Sequence, residues 1–277
     1  MLKIMILGGQ SFLGLYLGHY FTDRGHLVSL VDRSCSHTGG KIVNQFGGDM
    51  SKRSFIEGCF TSFKPDIVLH VPKQNFTTMN TFIKEDLASL ATLAEIPKYS
   101  LIKVMHLSPI SSISSSSPSR EMVAASLAER LCSSFSEFEI IRIPLIAGPK
   151  LNHNDDFLNE TAHLLLQGKS VNVLHKDSTV YVLPAEGLAC FLLEHLSKKN
   201  ERVVNLISET HKLGALLNPL QKLVGHGRII YDDTQIAKAP TFKEPVVTLK
   251  GKVTKPILLA IIEKRKEQLR TMGYVET

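Results

Sequence analysis

The chain has 277 residues, 43% of them hydrophobic and 21% charged, and its formal net charge is +6 at pH 7. This composition is that of an ordinary globular protein with a sizeable core, and it excludes a largely disordered chain. The lysines and arginines are scattered, so the sequence does not favour a nucleic-acid interface. The densest basic stretch, residues 263–270, alternates its charges and predicts the solvent-exposed face of a helix.

Cysteine and histidine spacing bears on metals and on the redox environment. The four cysteines lie far apart without a C-x-x-C pair, and the eleven histidines show no spacing typical of metal ligation. We therefore expect no metal ion, reduced thiols and a cytoplasmic location. The sequence begins directly with a strand-like run and has no stretch of about 18 apolar residues, so we expect neither a cleaved signal nor a membrane span.

In the first half of the chain, short β-rich runs alternate with amphipathic segments, which predicts βαβ units and a parallel sheet. The predicted strands and helices alternate as strand 2–8, helix 11–25, strands 26–32 and 42–49, helix 52–63, strand 66–72, helix 82–96, strand 101–108, helix 121–135 and strand 138–148. A serine-rich tract, 111–119, precedes the last of these helices and predicts a loop, with Ser119 as the helix N-cap.

The pattern loosens beyond Pro149. Helices are predicted near 156–167, over 184–197, between 208 and 255, and from about 255, with short strands at 171–174 and 202–208. We therefore predict an α/β fold of two parts. Residues 1–149 form a Rossmann-type doubly wound parallel sheet that binds NAD(P), and residues 150–277 form a smaller substrate lobe interleaved with sheet extensions.

A glycine-rich loop joins the first strand to the first helix. Gly8 and Gly9 follow the strand, and Gly14 lies one turn into the helix. In dinucleotide-binding folds such glycines give a tight turn, close approach of the pyrophosphate and close packing of helix on strand. Ser11 takes the middle position, where its small side chain can cap free N–H groups or reach a phosphate oxygen. A plain strand-turn-helix connection is the alternative.

Two charged residues end the second predicted strand. Asp32 is placed where a carboxylate would hold the adenosine ribose hydroxyls of a dinucleotide. Its neighbour Arg33 could instead accept the 2′-phosphate of NADP. Because the carboxylate of Asp32 would repel that phosphate, the sequence favours NAD and leaves NADP possible.

Several motifs together resemble one family. GGQSFLG at 8–14 resembles the GGxGFIG loop of the extended short-chain dehydrogenase/reductase superfamily, in its NAD-dependent epimerase/dehydratase family, and is closer still to the GGTRFLG loop of an atypical branch. GGDM at 47–50 resembles the GD(L/I) element, KPDIVLHVPK at 64–73 the PDxVIHLAA strand, and IIRIPLIAGP at 140–149 the LRPxxVYGP segment. Later segments, 184–196 and 202–208, continue the likeness through nearly the whole chain.

The resemblance implies a Rossmann-type fold and a dinucleotide cofactor, and it carries a set of cofactor-binding residues onto this sequence. In that family the GD(L/I) aspartate meets the adenine amino group, and the LRPxxVYGP segment borders the nicotinamide. The implied cofactor-binding residues are Gly8, Gly9, Ser11, Phe12, Leu13, Asp32, Arg33, Asp49, Met50, Val71, Pro72, Lys73, Pro144 and Leu145.

This sequence departs from the catalytic motif of the family that it resembles. Relatives use a Ser/Thr after the fifth strand and a Y-x-x-x-K pair, which the four-residue spacing puts on one face of the next helix. Aligning Glu129 with the family's glutamate places Glu121 at the tyrosine and Ala125 at the lysine. A shift of one residue gives Met122 and Ser126 instead. Neither register supplies a phenol or an ammonium group.

Three functions therefore stay open at this stage. The chain could be an enzyme acting on a nucleotide sugar or similar small molecule, with Ser111, Glu121, Tyr181 or His106 in the proton-transfer role. It could be a dinucleotide-binding sensor, scaffold or subunit that has lost catalysis. It could also bind RNA, as some atypical relatives do, which the basic charge supports only weakly. Each proton-transfer candidate also has an ordinary structural interpretation.

Family members often pair through the two helices that follow the fourth and fifth strands. In this chain those helices are predicted at 82–96 and 121–135. Ala124, Ala125 and Ala128 give the second helix a face of small residues that would let helices approach closely. We therefore expect a homodimer, with packing of the helix on its own sheet as the alternative.

Overall fold

A computed structural model of the protein describes residues 1–34, 42, 44–72, 86–95, 102–110, 120–149, 157–198, 202–208, 210–234, 236–237, 242, 244–250 and 253–271. The chain divides into two compact units. The first unit contains Met1–Ile143, Ala189–Asn205 and Phe242–Val246, and the second contains Pro144–Leu188, Leu206–Thr241 and Val247–Thr277. The division predicted at residue 149 stays a prediction.

Strands and helices alternate regularly up to residue 143. The elements are β1 Lys3–Leu7, α1 Phe12–Asp23, β2 Leu27–Asp32, β3 Asn44–Gly47, α2 Arg53–Phe63, β4 Ile67–His70, α3 Ala88–Glu95, β5 Lys103–Pro109, α4 Arg120–Ser133 and β6 Phe138–Ile143. After them come β7 Leu145–Ala147, α5 Phe157–Leu166, β8 Ser170–Val173, β9 Thr179–Pro184, α6 Ala185–His195, β10 Val203–Ile207, β11 Thr210–Lys212, α7 Leu213–Val224, β12 Arg228–Tyr231, β13 Val246–Thr248 and α8 Lys255–Thr271.

The central sheet has eight strands in the order β13-β10-β6-β5-β4-β1-β2-β3. The pairings from β10 through β6, β5, β4, β1 and β2 to β3 are all parallel. The chain moves outwards from β1 to β3 on one side and from β4 onwards on the other, so the strand order reverses between β1 and β4. This confirms the predicted α/β fold with a Rossmann-type parallel sheet.

The strands are nearly continuous apolar runs because helices cover both faces of a parallel sheet. On one face, strand side chains such as Met5, Val68 and Val104 pack against residues of α2, α3 and α4. On the other face, α1 packs closely enough that Gly18 faces Leu30. A buried core of this size is what holds the strand ends, and hence any site at those ends, in place.

The second unit is built from small sheets and three helices. Its sheets have the orders β11-β9-β7 and β12-β8. Helices α5, α7 and α8 contact one another over a core that includes Leu165, Leu217 and Ile261. The prediction of a fully exposed basic face at 263–270 is wrong in one respect, because Arg265 is only 2% exposed and donates a hydrogen bond to Gln268 at 2.7 Å. Its long aliphatic stem is suited to such burial.

The strand predicted over 138–148 is wrong, because it is two strands that belong to different sheets. β6 ends at Ile143 and pairs with β5 and β10, whereas β7 starts at Leu145 and pairs with β9. Pro144 lies between them. Proline has no N–H to donate to a neighbouring strand, so the ladder ends there. The strands β9, β11, β12 and β13 were not predicted from the sequence.

None of the helices in the described ranges is long and apolar enough to cross a membrane.

Gly8 occupies the point where the strand order reverses. Its N–H and that of Gly9 both donate to the carbonyl oxygen of Val31, at 3.0 and 3.1 Å, while the Val71 N–H donates to Leu7 at 2.9 Å. Gly8 has a φ of +83°, and a Cβ atom on it would lie 2.0 Å from the carbonyl oxygen of Val71. Only glycine fits this position, because it combines positive φ with contact against a backbone oxygen.

Two Gly→Ala variants separate backbone strain from steric conflict. Gly25 has almost the same φ as Gly8, +82°, but no atom within 4 Å of an added Cβ. We expect Gly25→Ala to lose about 1–2 kcal/mol of unfolding free energy from φ alone. Gly8→Ala should lose about 1–3 kcal/mol more, because the Cβ also overpacks against Val71. Urea unfolding of both variants tests this, and equal losses would contradict the steric role of Val71.

Candidate functional site

The glycine-rich loop places the start of α1 at the carboxyl edge of the sheet. Helix α1 begins at Phe12, directly after the loop. The first N–H groups of an α-helix have no acceptor within the helix and carry partial positive charge. The N–H groups of Phe12 and Leu13 therefore point out of this end of the helix, where an anion would be stabilised. Both side chains are buried, at 3% and 5% exposure, so they anchor the helix end in the core.

Ser11 caps the helix. Its hydroxyl donates to the carbonyl oxygen of Gly8 at 2.7 Å and accepts from the N–H of Gly14 at 3.0 Å. The structure shows Ser11 in one of its two predicted roles, as the N-cap of the helix. Ser11 therefore stiffens the loop in the conformation that exposes the Phe12 and Leu13 N–H groups. Contact of the Ser11 hydroxyl with a phosphate oxygen stays a prediction.

Asp32 joins the loop to the end of β2. Its side chain is buried, and its Oδ2 accepts from the N–H of Gln10 at 3.0 Å while Oδ1 accepts from the N–H of Arg33 at 2.7 Å. A carboxylate has about four lone-pair positions, so each oxygen keeps the capacity to accept a further hydrogen bond. The structure thus places a fixed carboxylate beside the helix terminus, as the sequence predicted for a ribose-binding aspartate.

Arg33 and Asp49 lie at the exposed ends of β2 and β3. The Asp49 Oδ1 accepts from the Ser51 hydroxyl at 2.6 Å and from the Ser51 N–H at 3.0 Å. These hydrogen bonds lower the pKa of Asp49, with smaller contributions from the positive charges of Lys52 and Arg33. Met50 is a buried core residue packed with α2. The assignment of Asp49 and Met50 to the cofactor stays a prediction.

The remaining predicted cofactor residues are dispersed. Val71 is buried against Gly8, and Pro72 follows it with intermediate exposure. Lys73 lies outside the described residues. Pro144 and Leu145 belong to the second compact unit, where Leu145 opens β7 and pairs with Val182 of β9. Their contact with a cofactor stays a prediction.

The predicted catalytic residues belong to different units or lie outside the described residues. Ser111 lies outside the described residues, and Glu121 is placed only as backbone in the first turn of α4. Tyr181 lies on β9 in the second unit, paired with Thr210 of β11. Each of these assignments stays a prediction. No cluster of three or more His, Cys, Asp or Glu suited to a metal ion occurs among the described residues.

A buried ion pair that the sequence did not reveal lies under α4. Glu129 accepts from the Ser108 hydroxyl at 2.5 Å and from the Nη2 of Arg142 at 2.8 Å. Arg142 also contacts Glu244 at 3.1 Å and Asn205 at 3.4 Å. These bonds tie α4 to β5, β6 and β10, and they occupy the hydroxyl of Ser108 at the carboxyl end of β5. Hydrogen bonds to Glu129 raise the pKa of Arg142 although burial lowers it.

Two buried histidines lie side by side on β4 and β5. His70 and His106 are at matching positions of the parallel pair, and their Nδ1 atoms are 3.0 Å apart. The Nε2 of His70 lies 3.2 Å from the Ser89 hydroxyl. Burial lowers the pKa of His70 well below its usual range and lowers that of His106 to about 4. Both rings are therefore neutral at pH 7, and neither reaches the surface.

The small-residue face of α4 is not on the surface. Ala124, Ala125 and Ala128 are 2%, 8% and 2% exposed, and the first and last pack in the core of the first unit. The alternative of helix-on-sheet packing therefore holds for these alanines, and the reason given for close approach of a partner helix is wrong. The exposed side of α4 instead carries Val123 and Leu127, at 36% and 39% exposure.

Acid should destabilise the protein through the buried histidines. A folded-state pKa near 4 for His106, against 6.5 when unfolded, means that the unfolded chain binds the proton first as pH falls. The contribution of His106 to the free energy of unfolding is thus fully present above about pH 6.5. As pH falls towards 4, the free energy of unfolding decreases by about 3 kcal/mol. Denaturant unfolding at pH 7.5, 5.5 and 4.5 measures this dependence.

The variant His106→Asn keeps a donor at the Nδ1 position and removes the titrating group, so its stability should fall less steeply with acid. The matched control His226→Asn changes an exposed histidine and should leave the dependence unaltered. Equal slopes for the protein and for His106→Asn would show that His106 does not titrate as described.

Comparisons with known proteins agree with this geometry. A sequence model of the NAD dependent epimerase/dehydratase family matches residues 4–130. This stretch runs from β1 through the glycine-rich loop to α4. Among curated proteins, no sequence match was found.

Solved structures share the fold over nearly the whole chain. The UDP-glucose 4-epimerase of Thermus thermophilus, solved in complex with NAD, has a TM-score of 0.77 at 15% identity, covering 95% of this chain and 99% of that one. That of Bifidobacterium longum, in complex with NAD⁺ and UDP, has a TM-score of 0.74 at 15% identity, covering 99% and 100%. An epimerase of Methanothermobacter thermautotrophicus has a TM-score of 0.79 at 14% identity, covering 98% and 94%. Residues 4–130 of this chain are thus similar to the NAD dependent epimerase/dehydratase family, and the fold is shared with these structures over nearly the whole chain.

Proposed function

We propose that this chain binds NAD at the carboxyl edge of its central sheet and acts as an oxidoreductase or epimerase on a nucleotide sugar or similar small molecule. One observation carries the proposal. The buried Asp32 carboxylate and the free N–H groups at the start of α1 lie beside the reversal of strand order between β1 and β4. In open α/β sheets, ligands bind outside the carboxyl ends of the strands at such a reversal.

The residues present suit a dinucleotide. Gly8 and Gly9 keep the loop close to the ends of β2 and β4, because a Cβ on either would clash with Val71 or Leu30. The N–H groups of Phe12 and Leu13 would receive the pyrophosphate, and the unused acceptor positions of Asp32 would receive ribose hydroxyls. NAD, when bound, supplies a hydride acceptor and donor for the carbon skeleton of the substrate.

The charge at the end of β2 favours NAD over NADP. The Asp32 carboxylate is held by two backbone N–H groups and cannot turn away from a ribose 2′-position. A phosphate at that position would face this negative charge. The neighbouring Arg33 is close enough to Asp49 to lower its pKa, so the positive charge of Arg33 is already partly balanced. Binding of NADP would therefore depend on the positive charge of Arg33.

Proton transfer is where this chain differs from the Tyr-Lys mechanism of its family. Oxidation of a hydroxyl requires a group that takes up its proton. Helix α4 carries Glu121 and Ala125, or Met122 and Ser126, where the resembled pair would stand. We propose that Ser111, Glu121 or Tyr181 takes the proton, and variants of these three residues are the first to test. Binding without turnover would instead identify a protein that has lost catalysis.

We further propose that the chain is a cytoplasmic homodimer. The four cysteines lie far apart in the sequence without a C-x-x-C pair, which accords with reduced thiols. The exposed Val123 and Leu127, four residues apart on α4, give one helix face an apolar character suited to pairing with a second copy. Sedimentation of the protein and of Leu127→Glu should give a dimer and a monomer, whereas a monomer in both would contradict the pairing. Fractionation of cells expressing the chain tests the location.

Removing the Asp32 carboxylate should weaken NAD binding. A hydrogen bond to a charged group contributes about 1.5–3 kcal/mol, so Asp32→Ala should raise the Kd for NAD by about tenfold to a hundredfold. Asp32→Asn keeps the size and an acceptor but removes the charge, so it should narrow the preference for NAD over NADP. Isothermal titration calorimetry with both dinucleotides gives these values.

Asp66→Ala is the matched control. The Asp66 carboxylate also accepts a backbone N–H, from Lys3 at 2.7 Å, but it lies at the opposite edge of the same sheet. NAD affinity should be unchanged in this variant. If neither NAD(H) nor NADP(H) binds the protein at millimolar concentration, the proposed function is wrong.

A further inference from the structure

A chain of hydrogen bonds under α3 has a fixed direction. The Ser89 hydroxyl donates to the backbone carbonyl oxygen of Asp86 at 2.8 Å. A hydroxyl has one hydrogen, and a carbonyl can only accept, so that hydrogen is committed to Asp86. The contact of 3.2 Å between Ser89 Oγ and His70 Nε2 must then be donated by the histidine ring. His70 therefore carries its hydrogen on Nε2.

The direction continues to His106. A neutral imidazole has one N–H and one bare nitrogen, so the Nδ1 of His70 is an acceptor. The Nδ1 of His106, 3.0 Å away, must donate to it. His106 thus carries its hydrogen on Nδ1, and its Nε2 is a bare acceptor. With the hydrogen of His70 on Nε2, the other tautomer of His106 would leave no hydrogen between the two Nδ1 atoms.

The bare Nε2 of His106 is buried. The residue is 1% exposed, and its Nε2 has no hydrogen-bond partner among the described residues. A buried acceptor without a donor costs about 1–3 kcal/mol. Folded proteins usually satisfy such groups, and ordered water does so where the protein does not.

A negative group lies on the same side of β5. Ser108 is two residues after His106, so both side chains point to the same face of the sheet. The Ser108 hydroxyl lies 2.5 Å from Glu129, and the charge of Glu129 reaches His106, whose pKa it raises against the larger effect of burial. The ring of His106 and the carboxylate of Glu129 therefore lie on the same side of β5, the side against which α4 packs.

We propose that the Nε2 of His106 binds a buried water molecule, which donates one hydrogen bond to this nitrogen and the other to the Glu129 carboxylate. Both neighbours are acceptors, so the occupant must offer two hydrogens, as water does. The Arg142 guanidinium is committed to Glu129, Asn205 and Glu244 and is not the missing donor.

This water joins two polar groups into one network. On one side lie Ser89, His70 and His106, and on the other Ser108, Glu129 and Arg142. The network crosses β4, β5 and β6 near their carboxyl ends. His106 is therefore a positioning residue, which orients the end of β5 through the water and contacts no substrate itself. The inference does not depend on NAD binding.

The tautomers can be read from ring ¹⁵N resonances of the full chain, assigned residue by residue at pH 7. We expect a protonated Nδ1 and bare Nε2 for His106, and the reverse for His70. A high-resolution crystal structure of the same protein should show a water within hydrogen-bond distance of His106 Nε2 and Glu129. A protonated Nε2 on His106, an apolar contact at this nitrogen, or a protein donor there would overturn the proposal.

The variants His106→Asn and His106→Gln test the contacts of the two ring nitrogens, Nδ1 and Nε2, independently. The asparagine amide N–H can replace Nδ1 as donor to His70 but leaves no acceptor at the Nε2 position, so His70 should keep its tautomer and the water should be lost. The glutamine reaches the Nε2 position and should keep the water. Retention of the water in His106→Asn would contradict the assignment of the water to the Nε2 of His106. The tautomers are measured on the unaltered protein, so that test holds even if a variant does not fold.

Discussion

The close approach of Gly8 to the carbonyl oxygen of Val71 is the constraint on which the candidate site depends. It holds the end of β1 against the end of β4, while the N–H groups of Gly8 and Gly9 hold it against β2 through Val31. The loop therefore has no room to move outwards, and α1 must begin at the carboxyl edge of the sheet. The positive end of the helix and the Asp32 carboxylate are brought together as a consequence.

A second constraint is the buried charge under α4. Removing charged groups from water is costly unless each one is paired and hydrogen-bonded. Glu129 and Arg142 meet this condition, and they anchor α4 to three strands. The helix that carries tyrosine and lysine in the resembled family is thus kept in place here by groups that do not depend on either residue. Such anchoring would let the fold persist with the substitutions that the sequence predicts at the tyrosine and lysine positions.

The regular part of the fold could be predicted because its signals are local. Apolar strands, the glycine loop and the Asp32 position follow from short stretches of sequence, and the parallel sheet follows from the alternation of strands and helices. The split at Pro144 was missed because β6 and β7 form one apolar run whose two halves pair with distant partners. The burial of Arg265 was missed because the sequence around it is rich in charged residues and therefore predicts an exposed helix face.

The polar contacts were the least predictable feature. His70 and His106 are 36 residues apart, and only the register between β4 and β5 makes them neighbours. His70 ends β4 and His106 lies in the middle of β5, and a histidine in each of two otherwise apolar strands was the available signal. The capping role of Ser11 became visible through the hydrogen bonds of its hydroxyl with Gly8 and Gly14, and the sequence alone does not give the geometry of these bonds. The register between two adjacent strands decides which of their side chains become neighbours. That register depends on the packing of the whole sheet and cannot be predicted from one strand.

The central claim is that the loop at the strand reversal is built for a dinucleotide. Native mass spectrometry of the protein as purified tests it most directly, because it weighs the folded chain together with whatever nucleotide is bound. We expect a species heavier than the chain by one NAD, released intact on denaturation. A protein that carries no dinucleotide, and acquires none when incubated with millimolar NAD(H) or NADP(H), would contradict the claim.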